Sequence, residues 1–184
     1  MKRLVLILCS LVLVLVGGLS FGQDKTLAVT TNATVVDGVV NPDEYSFSQD
    51  FGKLALYVNR TADALYIGAV GVTTGWVAVG LGSLRMDGST IFMGFVGADG
   101  KVQFKTQAGK GHQHMDADTT VADTIISYAM KEAGGKTTLE IALKPTAYIT
   151  QGQASLDLIW AEGAEDSFTP RHMSRGALSL TLAQ

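Results

Sequence analysis

The stretch 75–96, GWVAVGLGSLRMDGSTIFMGFV, predicts two β-strands joined by a turn-rich connection. Its two apolar runs, 76–81 and 91–96, have the length and residue types of buried strands. The connection between them is rich in glycine and small polar residues, and Met86 is a flexible thioether in that setting. Two interpretations are open, because a methionine can fill an irregular gap in a core or act as a soft metal ligand.

The first of these runs is apolar at consecutive positions, so both of its faces need cover. One face fills the space between two sheets, and a bound planar group is one candidate for covering the other.

The chain from Thr26 onward continues as short apolar segments separated by glycine and Asn/Asp turns. No segment has a sustained helical period, and one short helical turn is expected within 145–151. Short strands at regular spacing predict an all-β fold, an antiparallel sandwich of about 10–11 strands. The predicted strands are 27–29, 34–36, 54–58, 64–70, 76–81, 91–96, 102–106, 124–130, 137–143, 156–161 and 177–182.

Composition suits one domain with a substantial core, since the 184 residues are 47% hydrophobic and 17% charged. The formal net charge of −3 and the pI near 5.5 leave no large basic surface. Nucleic acid and anionic membrane surfaces are therefore poor candidates as partners.

The N-terminus predicts a signal peptide at 1–22. Lys2 and Arg3 precede an apolar run at 4–16, and Ser-Phe-Gly at 20–22 resembles a cleavage site. The mature domain is then 23–184, with a secreted or periplasmic location. Without cleavage, the apolar segment 4–21 is the alternative of a single membrane anchor.

Cleavage changes the charge and the redox chemistry of the chain. Loss of Lys2 and Arg3 takes the formal charge from −3 to −5, because no acidic residue precedes Asp24. The only cysteine, Cys9, lies within the apolar run, so the mature domain has no thiol and no disulfide.

The segment 36–45, VDGVVNPDEY, contains two tight turns, at Asp37-Gly38 and Pro42-Asp43. An edge hairpin that closes the sandwich is the structural interpretation. A calcium or sugar site at Asp43 and Glu44 is the functional alternative.

Five stretches together resemble the DOMON domain family in its bacterial single-domain form. They are VDGVVNPDEY at 36–45, LYVNRTADALYIGAVGVTTGWVAVGLG at 56–82, MDGSTIFMGFV at 86–96, ADGKV at 98–102 and LIWAEGAEDSFTPRHMSRGALSL at 158–180. The resemblance implies an immunoglobulin-like β-sandwich that binds b-type haem or a sugar. In haem-binding members, which include the cytochrome domain of cellobiose dehydrogenase, a methionine and a histidine are the axial ligands. By this resemblance they fall on Met86 and His172.

The residues around these positions agree with haem ligation. Met86 and His172 supply the thioether and imidazole of a His/Met pair. Arg171 and Arg175, beside His172, are candidates to pair with haem propionates, and so is Arg85. The resemblance also singles out the glycine-tryptophan strand, so Trp76 is a further cofactor-binding candidate. The alternative for His172 is a surface histidine.

Two other methionines have simpler or competing roles. Met93 alternates with apolar neighbours and is expected in the core, whereas Met173 competes with Met86 as ligand.

A second constellation is GHQHMD at 111–116, in a segment expected to be a polar loop. His112 and His114 would share one face of an extended segment, and Met115 and Asp116 complete a set for copper or zinc. A solvated loop without metal is the alternative.

The sequence does not predict an enzyme, because it has no nucleophile elbow, no HExxH and no singled-out carboxylate pair. We expect an exported protein that holds haem b non-covalently, because no Cys-x-x-Cys-His is present. It would transfer electrons or sense redox state with a partner protein, a membrane cytochrome being one candidate. The alternatives are a sugar or small-ligand module using Trp76 and Trp160, and a copper protein using the 111–116 segment.

Overall fold

In the computed structural model, which describes residues 25–183, twelve β-strands form two sheets packed face to face. The seven-stranded sheet has the order β1-β12-β11-β5-β6-β7-β8, and the five-stranded sheet has the order β2-β3-β4-β10-β9. All described pairs are antiparallel except β1 with β12. The strands are β1 Thr26–Leu27, β2 Phe47–Asp50, β3 Leu54–Arg60, β4 Leu65–Gly71, β5 Val77–Leu81, β6 Thr90–Val96, β7 Val102–Lys110, β8 Gln113–Asp116, β9 Ile125–Ala133, β10 Lys136–Leu143, β11 Ser155–Glu162 and β12 Ser174–Leu182.

The predicted all-β sandwich is confirmed, with differences at three segments. Residues 34–36 form no strand, whereas β2 and β8 were not predicted. Both missed strands are short, and β8 is exposed along its whole length. The exposed β8 therefore needs no apolar alternation, and β2 buries a single apolar side chain, that of Phe47, which is too few to show a period. The helical turn expected within 145–151 is a 3-10 turn at Pro145–Ala147.

The main core lies between the two sheets and follows from the two-residue period of strands. On β5, for example, Val77, Val79 and Leu81 point into it and are at most 1% exposed. Across the interface, Leu139 and Ile141 of β10 belong to the same cluster. Each such side chain contributes about 1.5–3 kcal/mol through burial.

The predicted edge hairpin at 36–45 is wrong. This segment instead carries a single 3-10 turn at Pro42–Glu44 and is attached to the five-stranded sheet by Glu140 of β10. The Glu44 carboxylate accepts the backbone N–H of Val35 at 2.8 Å, while the Asp43 side chain is exposed. The Glu44 carboxylate is thus hydrogen-bonded to the residue just before this segment.

The predicted signal peptide at 1–22 lies outside the described residues. Within 25–183 no helix combines the length and the hydropathy needed to span a membrane.

Candidate functional site

A second apolar cluster covers the outer face of the seven-stranded sheet. The side chains that alternate with the core residues of β5 and β6 point outward here, as expected for a strand that is apolar on both faces. Trp76 leads into β5 on the same face. The cluster contains Trp76, Ala78, Ile91, Met93 and Phe95, with Met86, Ala161 and Phe168 packed against it. Met93 is therefore buried as predicted, but outside the inter-sheet core.

A cavity of about 430 Å³ lies over this face. Strand register places Ile159, Gly80, Ile91 and Gln107 side by side across β11, β5, β6 and β7. Two residues further along the strands on the same face, Ala161 lies beside Ala78. Small residues therefore lie at the centre of this face. The volume falls within the roughly 300–1,000 Å³ range of small-ligand pockets.

Met86 is held at one end of the cavity by the connection between β5 and β6. Its carbonyl accepts the N–H of Ser89 at 3.0 Å, and the N–H of Gly88 donates to the carbonyl of Gly109 on β7 at 3.1 Å. A Cβ on Gly109 would overlap the carbonyl of Met86. Glycine at this position therefore lets the Met86 turn lie directly on β7.

His172 lies at the other end of the cavity. Glu162 of β11 pairs with Val77 at the start of β5 and with Ser174 at the start of β12. The residues just before β12, which include His172, therefore lie beyond the start of β5. Met86 follows the opposite end of β5. Met173 donates its N–H to the carbonyl of Glu162 at 2.8 Å, which fixes the backbone next to His172. The thioether and the imidazole thus approach from opposite ends of one face.

Two uncompensated positive charges accompany His172. Arg171 and Arg175 both line the cavity, and the only salt bridge within 25–183 joins Lys101 to Asp99. The pKa of His172 is lowered, first because burial disfavours the charged imidazolium and then because Arg175 and Arg171 repel it. Both causes favour the neutral imidazole, which is the form that ligates a metal.

Three buried polar atoms on residues of the cavity wall have no hydrogen-bond partner among residues 25–183. They are the indole Nε1 atoms of Trp76 and Trp160 and the side-chain Oε1 of Gln107, on residues 4%, 4% and 6% exposed. Buried polar groups are nearly always hydrogen-bonded in native proteins. A bound ligand can supply the missing partners.

All of the main candidate residues from the sequence line this one cavity. These are Met86, His172, Trp76, Arg171 and Arg175, together with the alternative pair His112 and His114. Gln107 and Ile159 also line it and were not predicted, because nothing in their local sequence distinguishes them from ordinary strand residues.

Two other candidates lie outside the cavity. Met173 is 69% exposed, and Arg85 is exposed and is not part of the cavity wall. Trp160 contributes to the cavity wall but belongs to the inter-sheet core, where its ring packs 5.0 Å from that of Phe51.

The segment 111–116 is only partly a loop, which corrects the prediction. Residues 113–116 form β8, which pairs with β7, and His112 lies in the turn before it. Because neighbouring residues of a strand point to opposite faces, Met115 lies opposite His114 and does not line the cavity. Among residues 25–183 there is no grouping of three or more His, Cys, Asp or Glu side chains that could hold a metal.

No family model matches the sequence, and no curated protein matches it. Solved structures do match. The cytochrome b domain of pyranose dehydrogenase from Coprinopsis cinerea has a TM-score of 0.53 at 13% identity, over 73% of this chain and 80% of that chain. The cytochrome domain of Myriococcum thermophilum cellobiose dehydrogenase has a TM-score of 0.48 at 15% identity, over 74% and 81%.

A family 9 carbohydrate-binding module from Caldicellulosiruptor kristjanssonii, in complex with cellotriose, has a TM-score of 0.48 at 12% identity, over 83% of each chain. At 13% identity, the likeness to the pyranose dehydrogenase domain, with its TM-score of 0.53, shows the fold alone. The two packed sheets define a β-sandwich domain, and its structural neighbours include both cytochrome b domains and carbohydrate-binding modules.

Proposed function

We propose that the chain is an exported, DOMON-like domain that binds haem b and acts in electron transfer or redox sensing. One observation carries the proposal: Met86 and His172, distant in sequence, line a single cavity from opposite ends of its floor. A thioether and a neutral imidazole on opposite sides form the donor set of a six-coordinate His/Met haem.

The remaining walls also fit haem. The floor is apolar, and among residues 25–183 no carboxylate pairs with the guanidinium groups of Arg171 and Arg175, so both could pair with the propionates. Non-covalent binding follows because the mature domain contains no cysteine.

Haem held in this way supplies a one-electron couple, with a potential set by its axial ligands and its surroundings. The residues of the chain would hold the haem and determine its surroundings. Met86 and His172 would be the two residues that hold the haem iron. With both bound, no position on the metal would remain for a substrate, which favours a carrier over an enzyme. The apolar floor around Ala78 and Ile91 would exclude water, and the arginines would neutralise negative charge at the rim.

The partner is then another redox protein, with a membrane cytochrome as one candidate, and the location is secreted or periplasmic. The net charge after signal cleavage, −5, disfavours nucleic acid as a partner.

A sugar or small-ligand module is the second candidate, because the unpartnered atoms of Trp76 and Gln107 can hydrogen-bond a polar ligand. The aromatic platform that such a module uses is not exposed here. Trp76 and Trp160 are each only 4% exposed, and Trp160 packs in the main core. The haem proposal is therefore the stronger one.

The test is an absorption spectrum of haem-supplied protein with ligand variants. The wild type should take up haem and show sharp low-spin bands when reduced. His172→Ala should lose haem or hold it weakly, because imidazole is the stronger ligand. Met86→His should keep haem but lower its reduction potential, since bis-histidine ligation favours the ferric state.

Met173→Leu is the matched control, because Met173 adjoins His172 but is largely exposed. It should leave the spectrum and the potential unchanged. A protein that stays colourless with excess haem, or a His172→Ala variant with a normal low-spin spectrum, would overturn the proposal.

A further inference from the structure

The protein has three histidines, and all three line the same cavity. Haem ligation as proposed uses His172. The other two, His112 and His114, come from the edge strand β8 and the turn before it, at the Met86 end. They have no role in the proposed function.

Strand register brings His114 next to Met86. His114 pairs with Gly109 on β7, and the Cγ of Met86 lies 3.1 Å from the position that a Cβ on Gly109 would occupy. Side chains directly opposite on antiparallel strands have Cβ atoms about 4.5–5.5 Å apart. Gly109 has no side chain, so the side chain of Met86 occupies the space beside His114 that a side chain at position 109 would fill. His112, in the turn before β8, lines the same cavity.

The donor types select the metal. Two imidazoles and one thioether, with no thiolate, suit Cu(I), because soft thioether sulfur favours it over harder ions. The absence of any three-residue His, Cys, Asp or Glu grouping within 25–183 means that zinc and other oxygen-preferring or nitrogen-preferring ions have no ready site there. The thioether sulfur of Met86 is the third donor beside the imidazoles of His112 and His114.

Gln107 supplies a second, independent observation. It lies on the cavity face of β7, two residues from Gly109, and its Oε1 is buried without a hydrogen-bond partner. Metal-ligating imidazoles usually donate their second N–H to a carbonyl or carboxylate oxygen. The amide oxygen of Gln107 is available for that role.

We propose that the haem-free protein binds one Cu(I) ion through Met86, His112 and His114. The sequence pointed to Met115 as the sulfur ligand of a copper site, but Met115 lies on the other face of β8. Met86 takes its place from a different part of the chain. Since Met86 is also the proposed haem ligand, copper and haem exclude each other at this residue.

The experiment is a competition titration of the haem-free mature protein against the coloured Cu(I) complex of bicinchoninate, under ascorbate. The wild type should withdraw one equivalent of copper. Met86→Leu and the double variant His112→Ala/His114→Ala should each weaken binding by at least about tenfold, because even loss of an outer-shell partner costs about 10–100-fold. Circular dichroism and thermal unfolding of each variant establish that it is folded.

Met115→Leu is the matched control, since it removes a thioether from the same strand on the opposite face. It should bind copper as the wild type does, and so should His172→Ala. Copper binding that survives Met86→Leu, or that is lost in Met115→Leu or in folded His172→Ala, would overturn the proposal, as would the absence of a stoichiometric site.

The outcomes separate this inference from the proposed function. The double histidine variant should lose copper and keep haem, whereas His172→Ala should lose haem and keep copper. Failure of copper binding with normal haem uptake overturns only the copper site, and the reverse result overturns only the haem proposal.

Discussion

Gly109 determines where Met86 can lie. Its Cα faces the carbonyl of Met86 so closely that a Cβ would overlap it, and the overlapping atoms are backbone, which cannot swing aside. The backbone of Gly109 also receives the N–H of Gly88 and donates to the carbonyl of Ser89, at 3.1 and 2.9 Å. One residue on β7 thus positions the turn that carries the predicted ligand.

Gly109→Ala should displace the Met86 turn from β7. We expect a loss of stability of about 1–3 kcal/mol, as for other overpacked sites, together with weaker haem and copper binding. Denaturant unfolding and the two ligand titrations measure these effects separately.

Gly97→Ala is the control for Gly109→Ala. At Gly97 the nearest atom to an added Cβ is a side-chain oxygen of Asp99, at 3.2 Å, which can move. The stability of Gly97→Ala and its affinities for haem and copper should stay close to those of the wild type. Unchanged ligand binding in Gly109→Ala would show that the close approach does not position Met86.

At the level of elements, buried side chains attach the segment before β2 to the five-stranded sheet. The Glu140 carboxylate of β10 accepts the N–H of Gly38 at 2.8 Å and the hydroxyl of Tyr45 at 2.7 Å. Asn59 of β3 donates to the carbonyl of Asn32 at 2.8 Å. Within 34–36, the N–H of Val35 donates to the Glu44 carboxylate and not to a neighbouring strand. Side chains thus satisfy part of this segment's backbone in place of a strand ladder.

Tyr45 should make stability depend on alkaline pH. Burial, and then the hydrogen bond to Glu140, raise the pKa of Tyr45 above its ordinary value of 10.0. The folded state therefore keeps a proton that the unfolded state releases, so the contribution of Tyr45 to stability is fully present below pH 10.0 and is lost as the pH rises above it. Denaturant unfolding on either side of that pH measures the slope.

Tyr45→Phe should reduce this alkaline slope without abolishing it, because burial also raises the pKa of Tyr148. At neutral pH the same variant should lose about 1.5–3 kcal/mol, since the lost hydrogen bond is to a carboxylate. An identical alkaline slope in the two proteins would contradict the assignment.

At the scale of the whole molecule, the prediction of export concerns the N-terminus of the chain. Cleavage after Gly22 should yield a mature protein beginning at Gln23, with the formal charge changed from −3 to −5. Mass spectrometry of the exported fraction tests this directly. An intact Met1 on protein recovered from membranes would contradict it.

The sequence by itself determined the class of fold and most of its elements. Apolar runs bounded by glycine turns located ten of the strands, because buried strands must be apolar and turns favour particular residues. It also singled out Met86 and His172 as donors of the right chemical types. Polar edge strands such as β8 carry no comparable signal, since neither face has to be buried.

Only the tertiary structure decided which residues share the cavity. Strand register carries Gln107 and His114 to the face where Met86 lies, the turn before β8 brings His112 to the same cavity, and the alternation along β8 turns Met115 away. The physical reason is that one cavity draws on β5, β6, β7, β8, β11 and β12, whose order in the sheet is not their order in the chain. Local sequence fixes the type of each side chain, whereas hydrogen-bonded pairing between distant strands fixes its neighbours.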